Sequence, residues 1–189
     1  MQDLHNHTVW SDGDNTVAEI YDNAVKHGVD QIGISDHYHV IKDYNGYLEE
    51  LSRYPVKKSV EIMATHVIQK QVDITWCNKN LDYVILEDFF NPMHIPVVAG
   101  NFTVPIIIAH PGPKVISGMT GMDIMYEINL AIPLPLRHTL IELTKNKIKV
   151  SVGSDIHNLI DYKPELVEMA NNLAITINKG YVPKWYTKE

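Results

Sequence analysis

Two hydrophobic rhythms alternate along the chain. Short apolar runs bounded by turn residues are followed by stretches whose apolar positions lie three and four apart. The short runs predict strands over residues 2–7, 31–35, 58–63, 81–86, 105–109, 125–129 and 149–153. The helical spacing is clear over 16–27, where Val17, Ile20, Tyr21, Ala24 and Val25 form the apolar face. Gly28 is its natural stop, and Asp14, Asn15 or Thr16 can cap its start. A short helix is predicted over 47–54, closed by Pro55. A longer one is predicted over 136–147, with Leu140, Leu143 and Ile148 on one stripe. A last helix spans 164–178, with Pro164 in its first turn and Gly180 past its end. Residues 66–77 fit helix or strand equally. Strands that alternate with helices predict an α/β fold of parallel β-α units. Seven right-handed crossovers tend to close into a TIM-like barrel, here a single domain over 1–189.

Four histidine-bearing stretches stand at the ends of these strands: His5-Asn6-His7, Asp36-His37, His110-Pro111 and Asp155-Ile156-His157. In a β/α barrel the carboxyl ends of the strands share one face, so remote stretches can meet there. His5 and His7 are two apart and face the same side of a strand, as do Asp155 and His157. Imidazole and carboxylate are common ligands of zinc and related ions. Four such stretches at four strand ends predict a metal cluster, and a metal cluster predicts hydrolysis.

Composition narrows the picture. Apolar residues make up 45% of 189, enough for a substantial core. The formal net charge of -7 gives no support to wholesale nucleic-acid binding. Cys77 is the one cysteine, which excludes an internal disulfide and a thiolate-based zinc site. The chain opens without a basic or apolar leader, and no apolar run is long enough to span a bilayer, so a cytoplasmic protein with no membrane partner is expected.

The motifs carry a resemblance. Asp3-Leu4-His5-Asn6-His7-Thr8, with Ser11-Asp12-Gly13 behind it, resembles the first motif of the polymerase-and-histidinol-phosphatase (PHP) superfamily. Gly33-Ile34-Ser35-Asp36-His37, Ala109-His110-Pro111 and Gly153-Ser154-Asp155-Ile156-His157 resemble the motifs that follow. The resemblance implies a distorted seven-stranded (β/α)7 barrel holding up to three divalent ions (zinc, manganese or iron). It implies one ion on His5, His7 and Asp155 with a bridging glutamate, and another on Asp12, His37 and His157. A remaining ion would share that glutamate and take His110 and a histidine after the fourth strand. Glu61 is the residue placed for the bridge. The chain departs from the pattern at the last ligand, where Phe89 stands in place of histidine. Glu87, two residues earlier and expected on the same strand face, can supply a carboxylate; His94, in the loop, is a second substitute.

The implied reaction is hydrolysis of a small molecule's phosphate monoester by metal-activated water. Asp36, His37, His110 and Asp155 are the expected catalytic residues, with Asp36 orienting an imidazole or touching the leaving group. Lys114 and Arg137 are the candidates for pairing with a substrate phosphate. Two other functions compete. A PHP-type nuclease (3′-5′ exonuclease-like), less favoured by the charge, would need a basic track or stacking aromatics such as Trp10, Tyr38 or Trp76 around the cleft. A weakly active or inactive metal-binding protein would account for Phe89. His27, His39, His66 and His138 are read as structural or surface residues.

Overall fold

The computed structural model describes the chain except at positions 90, 185, 187 and 189. Every paired strand runs parallel to its neighbour, and strands alternate with helices, as an α/β fold requires. One sheet consists of β1 (Gln2–Asp3), β2 (Gln31–Ile34) and β3 (Lys57–Lys58). The other runs β4 (Glu61–Met63), β5 (Val84–Glu87), β6 (Ile106–Ile108), β7 (Ile124–Asn129) and β8 (Lys149–Gly153).

Backbone hydrogen bonds join the two sheets at both edges. Ser59 N–H donates to the Ile34 carbonyl and Glu61 N–H to that of Asp36. At the opposite edge Leu4 N–H donates to Val152, His7 N–H to Ile156 and Asp155 N–H to His5. The strand expected over 58–63 is therefore divided. Its first part pairs with β2, and from Val60, whose carbonyl accepts from Ile85 N–H, it turns to β5.

Three of the α-helices begin at a capping side chain. Thr16 and Glu19 form a complete capping box on α1 (Val17–Lys26), and left-handed Gly28 follows its end. α2 (Tyr44–Leu51) starts earlier than hydrophobic spacing predicts, because Asp43 accepts from the N–H groups of Asn45 and Gly46. The ambiguous stretch over 66–77 belongs to two short helices, α3 (Ala64–Ile68) and α4 (Ile74–Asn80), parted at left-handed Lys70. α5 (His94–Ala99) and α6 (Ile116–Met119) were not predicted. Pro96 obscures α5, yet it sits at the third helical position, where an N–H has no helical acceptor to lose. α7 (Arg137–Lys145) and α8 (Pro164–Asn178) follow the predicted pattern. No helix among the described residues is long and apolar enough to cross a membrane.

Apolar burial divides between the two strand faces. Ile34, Ile62, Leu86 and Ile108 pack with helical residues such as Ile20, Leu51, Leu140 and Leu173. Leu4, Tyr83, Ile85, Ile107 and Ala109, with Met125, form a separate cluster. Side chains alternate, so the face bearing Ile85 and Met125 reaches Glu87 and Glu127 two residues later. Apolar packing thus gives way to carboxylates toward the carboxyl ends of the strands.

Candidate metal centre

Glu61 stands at the middle of the strand ends and is 1% exposed. Its Oε1 lies 3.4 Å from His5 Nε2 and 3.4 Å from His110 Nε2. Its Oε2 lies 3.4 Å from His7 Nε2 and 3.1 Å from His37 Nδ1. One carboxylate thus reaches four imidazoles from three separate histidine stretches. Asp155, just past β8, approaches three of these imidazoles, with Oδ1 3.5 Å from His5 Nε2 and 3.3 Å from His7 Nε2 and Oδ2 3.2 Å from His110 Nε2.

The donor atoms fall into four overlapping groups, each tight enough to embrace one ion. They are His5, His7 and Asp155; His7, Asp12, His37 and His157; His5, Glu61 and His110; and His37, Glu61 and Glu87. All nine residues expected as ligands are therefore brought together. His94 is not, for it lies exposed on the first turn of α5.

Hydrogen bonding directs the imidazole lone pairs inward. His5 Nδ1 is 2.7 Å from Glu127 Oε1; donating there leaves Nε2 as a bare acceptor. That Nε2 faces His7 Nε2 at 3.0 Å. His157 Nδ1 lies 3.1 Å from the Asp155 carbonyl, which frees its Nε2 toward Asp12 Oδ2 at 3.4 Å. Glu61 Oε1 and His37 Nδ1 are buried with no hydrogen-bond partner among the described residues. Native interiors rarely leave such groups unsatisfied, and a cation among them would satisfy both. The donor set, all nitrogen and oxygen, suits zinc, manganese or iron.

Electrostatics agree. Burial opposes charge on His5, but Glu127, Glu61 and Asp155 outweigh it and hold its pKa well above the ordinary value. Burial would raise Glu61, yet the imidazoles of His5, His7 and His37 bring it down to about 2. Asp155 is likewise driven far below the carboxylate range, against its burial, by His5, His110 and His7. Glu87 moves the other way, up to about 7, through burial and the charges of Glu61 and Asp88. This cavity demands positive charge, whether as protons on imidazole or as a metal ion.

Three expectations change in detail. Asp36 touches no imidazole directly but reaches one through Ser11, whose Oγ lies 3.5 Å from His7 Nδ1. Its oxygens accept from Thr8 N–H at 2.7 Å, Thr8 Oγ1 at 2.8 Å and Ser11 Oγ at 2.6 Å, so it shapes the loop that carries Asp12. The Nη1 of Arg137 donates to the carbonyls of Pro183 and Tyr186, tying down the C-terminal segment instead of reaching for phosphate. Lys114 is exposed in a 3-10 turn after His110-Pro111. Finally, β5 ends at Glu87 and Asp88 adopts a left-handed φ of 63°. Strand alternation therefore stops before Phe89, which packs against the large apolar cluster. Glu87 reaches the centre on its own strand register, with Oε1 3.8 Å from His37 Nδ1.

Sequence reasoning missed Glu127 and Asn129. Glu127 Oε2 accepts from His110 N–H and from Asn129 Nδ2, both at 3.0 Å, and Asn129 Nδ2 also donates to Asp155 Oδ2 at 3.1 Å. The signal was available: two polar residues two apart on a strand, the spacing already noted for His5 and His7. Glutamine at position 127 would set an amide donor against either His5 or the two donors on the other oxygen. We expect Glu127→Gln to weaken metal affinity roughly 10–100-fold, measured by competition with a chromogenic chelator. Unchanged affinity would show that Glu127 does not set the His5 tautomer.

Backbone strain gathers at the same place. Asp88, His110 and Asp155, each just beyond a strand, have φ of 63°, 39° and 55°. Such conformations are costly without glycine and persist where the surroundings impose them.

Comparison with known families agrees with this geometry. The model of the PHP domain matches residues 3–102, the stretch that carries His5, His7, Asp12, His37, Glu61 and Glu87. His110, Asp155 and His157 lie beyond it and complete the donor groups in space. Comparison with curated proteins finds no match. With the match extending over more than half of its length, and its histidines and carboxylates converging at the strand ends, the chain belongs to the PHP domain family.

Proposed function

We propose that the protein is a metal-dependent phosphoesterase that hydrolyses the phosphate monoester of a small molecule. The observation that carries this reading is the buried Glu61 carboxylate, unpartnered at Oε1 and within 3.4 Å of His5, His7 and His110 and 3.1 Å of His37. Up to three ions are proposed. His5, His7 and Asp155 would hold one and Asp12, His37 and His157 a second; Glu61, grouped with His110 on one side and with Glu87 on the other, would serve a third. Zinc, manganese and iron all suit these donors. Divalent ions, when bound, lower the pKa of water toward neutrality and neutralise phosphoryl charge.

The protein's own residues supply positioning. Glu127 and the Asp155 carbonyl fix the tautomers of His5 and His157. Asn129 ties Asp155 to Glu127. Asp36 holds the loop that brings Asp12 opposite His37 and His157. Because this network is largely buried and cross-bonded, it is organised before substrate arrives, which phosphoryl transfer needs more than covalent chemistry. We further propose that the strands close into a distorted seven-stranded barrel within one domain. The bonds at both sheet edges and the separate apolar cluster around Ile85 and Ile107 support that reading.

The structure gives the nuclease reading little support. Tyr38 is buried against Tyr44 and Trp76, and the Trp10 indole donates to Glu50, so these aromatics are engaged in packing. Glu87 beside His37 and Glu61 counts against an inactive member, since it supplies a carboxylate where Phe89 cannot ligate. The test is turnover of an aryl phosphate by manganese-loaded protein, with a 3′-labelled oligonucleotide run in parallel. Turnover of the small ester that disappears with chelator and returns with manganese is expected. Release of nucleotides with an inert small ester would replace this reading by the nuclease, and bound metal without either activity would replace it by a binding protein.

A further inference from the structure

Next to the donor cluster lies a cleft of about 280 Å³ that the proposed chemistry leaves unused. His110, Glu127 and Asn129 form its inner wall, so it opens directly beside the site. Its outer wall is the connection between β7 and α7, Ile132-Pro133-Leu134-Pro135-Leu136, with Thr139 and Lys188 also lining the cleft. This wall is apolar and braced. Two prolines fix their own φ angles, the Tyr186 hydroxyl donates to the Pro135 carbonyl, and Arg137 is bonded to the segment around Tyr186. Ile132 and Leu136 remain 39% and 36% exposed, an apolar ledge a few residues from a cluster of charges.

The cleft on the other flank has a different character. It measures about 330 Å³ and sets Asp155, His157, Asp161 and Lys163 beside the apolar Ile156, Leu166 and Val167. A hydrated group gains as much there as in water. An apolar group gains more on the Ile132–Leu136 side, by leaving water for a preformed hydrophobic surface. A pocket continuous with the reacting centre is where the part of a substrate that does not react can be held.

We propose that this cleft binds the leaving group, and that the substrates are phosphate monoesters of aromatic or similarly apolar alcohols. The inference rests on the phosphoesterase reading and adds the substrate class. In the reaction the oxygen of water forms a bond to phosphorus. The ester P–O bond breaks, and its electron pair stays on the alcohol oxygen. One water proton ends on that oxygen and the other on phosphate, giving the free alcohol and inorganic phosphate.

Benzyl phosphate and glycerol phosphate separate the class from intrinsic reactivity, because both release alkyl alcohols. With manganese-loaded protein, kcat/KM for benzyl phosphate is expected to exceed that for glycerol phosphate roughly 10–100-fold. Ile132→Asp should collapse that ratio toward unity; a ratio taken on one preparation does not depend on how much protein is folded. Binding gives a readout without turnover: by calorimetry, benzylphosphonate should bind about tenfold more tightly than methylphosphonate. Equal kcat/KM for the two esters, or a ratio untouched by Ile132→Asp, overturns the proposal and leaves the phosphoesterase reading standing. Turnover of neither ester overturns both.

Discussion

Glu61→Gln is expected to remove nearly all metal-stimulated phosphoesterase activity, by roughly 10³-fold in kcat/KM. The substitution keeps size and shape. The backbone of residue 61, which accepts from Tyr38 N–H and donates to the Asp36 carbonyl, is untouched, so the seam between β2 and β4 should survive. What changes is charge and symmetry. The carboxylate offers an oxygen to His5 and His110 on one side and to His7 and His37 on the other. It also belongs to two of the four donor groups. An amide is neutral and presents N–H to one of those sides. Ions contribute several kcal/mol of transition-state stabilisation, and about 4 kcal/mol corresponds to roughly 10³ in rate. Activity on an aryl phosphate, metal content by mass spectrometry and the melting temperature should be measured together. A variant within tenfold of wild-type activity, with its metal retained, would remove Glu61 from the centre.

The ligand stretches were legible because strand periodicity and strand ends are local properties. His5 with His7, and Asp155 with His157, announce themselves by a spacing of two at the end of an apolar run, and a parallel α/β fold carries such ends to one face. Glu127 and Asn129 show the same spacing but were overlooked, since no histidine marked them. Departures from regular geometry were not legible. Nothing in Leu86-Glu87-Asp88-Phe89 reveals that Asp88 turns left-handed and detaches Phe89 from the strand register. Nor does a polar stretch reveal its hydrogen-bond partners. Asp36 was expected beside an imidazole or the leaving group; it bonds to Thr8 and Ser11, residues 28 and 25 positions away, and reaches His7 through the Ser11 hydroxyl. Arg137 was expected at phosphate and instead bonds to Pro183 and Tyr186. Helices with proline inside them, such as α5, lie beyond propensity alone, because proline's cost depends on which turn it occupies.

Gly153→Ala should be strongly damaging, for a reason of space and not of backbone angle. Gly153 ends β8, paired with Asn129. A Cβ there would overlap Glu127 Oε1 and stand 2.5 Å from His5 Cβ. Neither neighbour can retreat cheaply, because the 2.7 Å bond between His5 Nδ1 and Glu127 Oε1 clamps both, and Glu127 is held again by His110 N–H and Asn129. Overpacking of this kind costs about 3 kcal/mol, which for a chain of this size lowers Tm by roughly 6–12 °C. Any relaxation must move His5 or Glu127, so metal affinity should fall with stability. Gly112→Ala is the control: a Cβ at that position meets nothing within 4 Å. Calorimetric scans of both variants, with and without manganese, provide the measurement. A Gly153→Ala protein that melts and binds metal like wild type would mean that the His5–Glu127 clamp gives way freely, and the preorganisation ascribed to this centre would have to be abandoned.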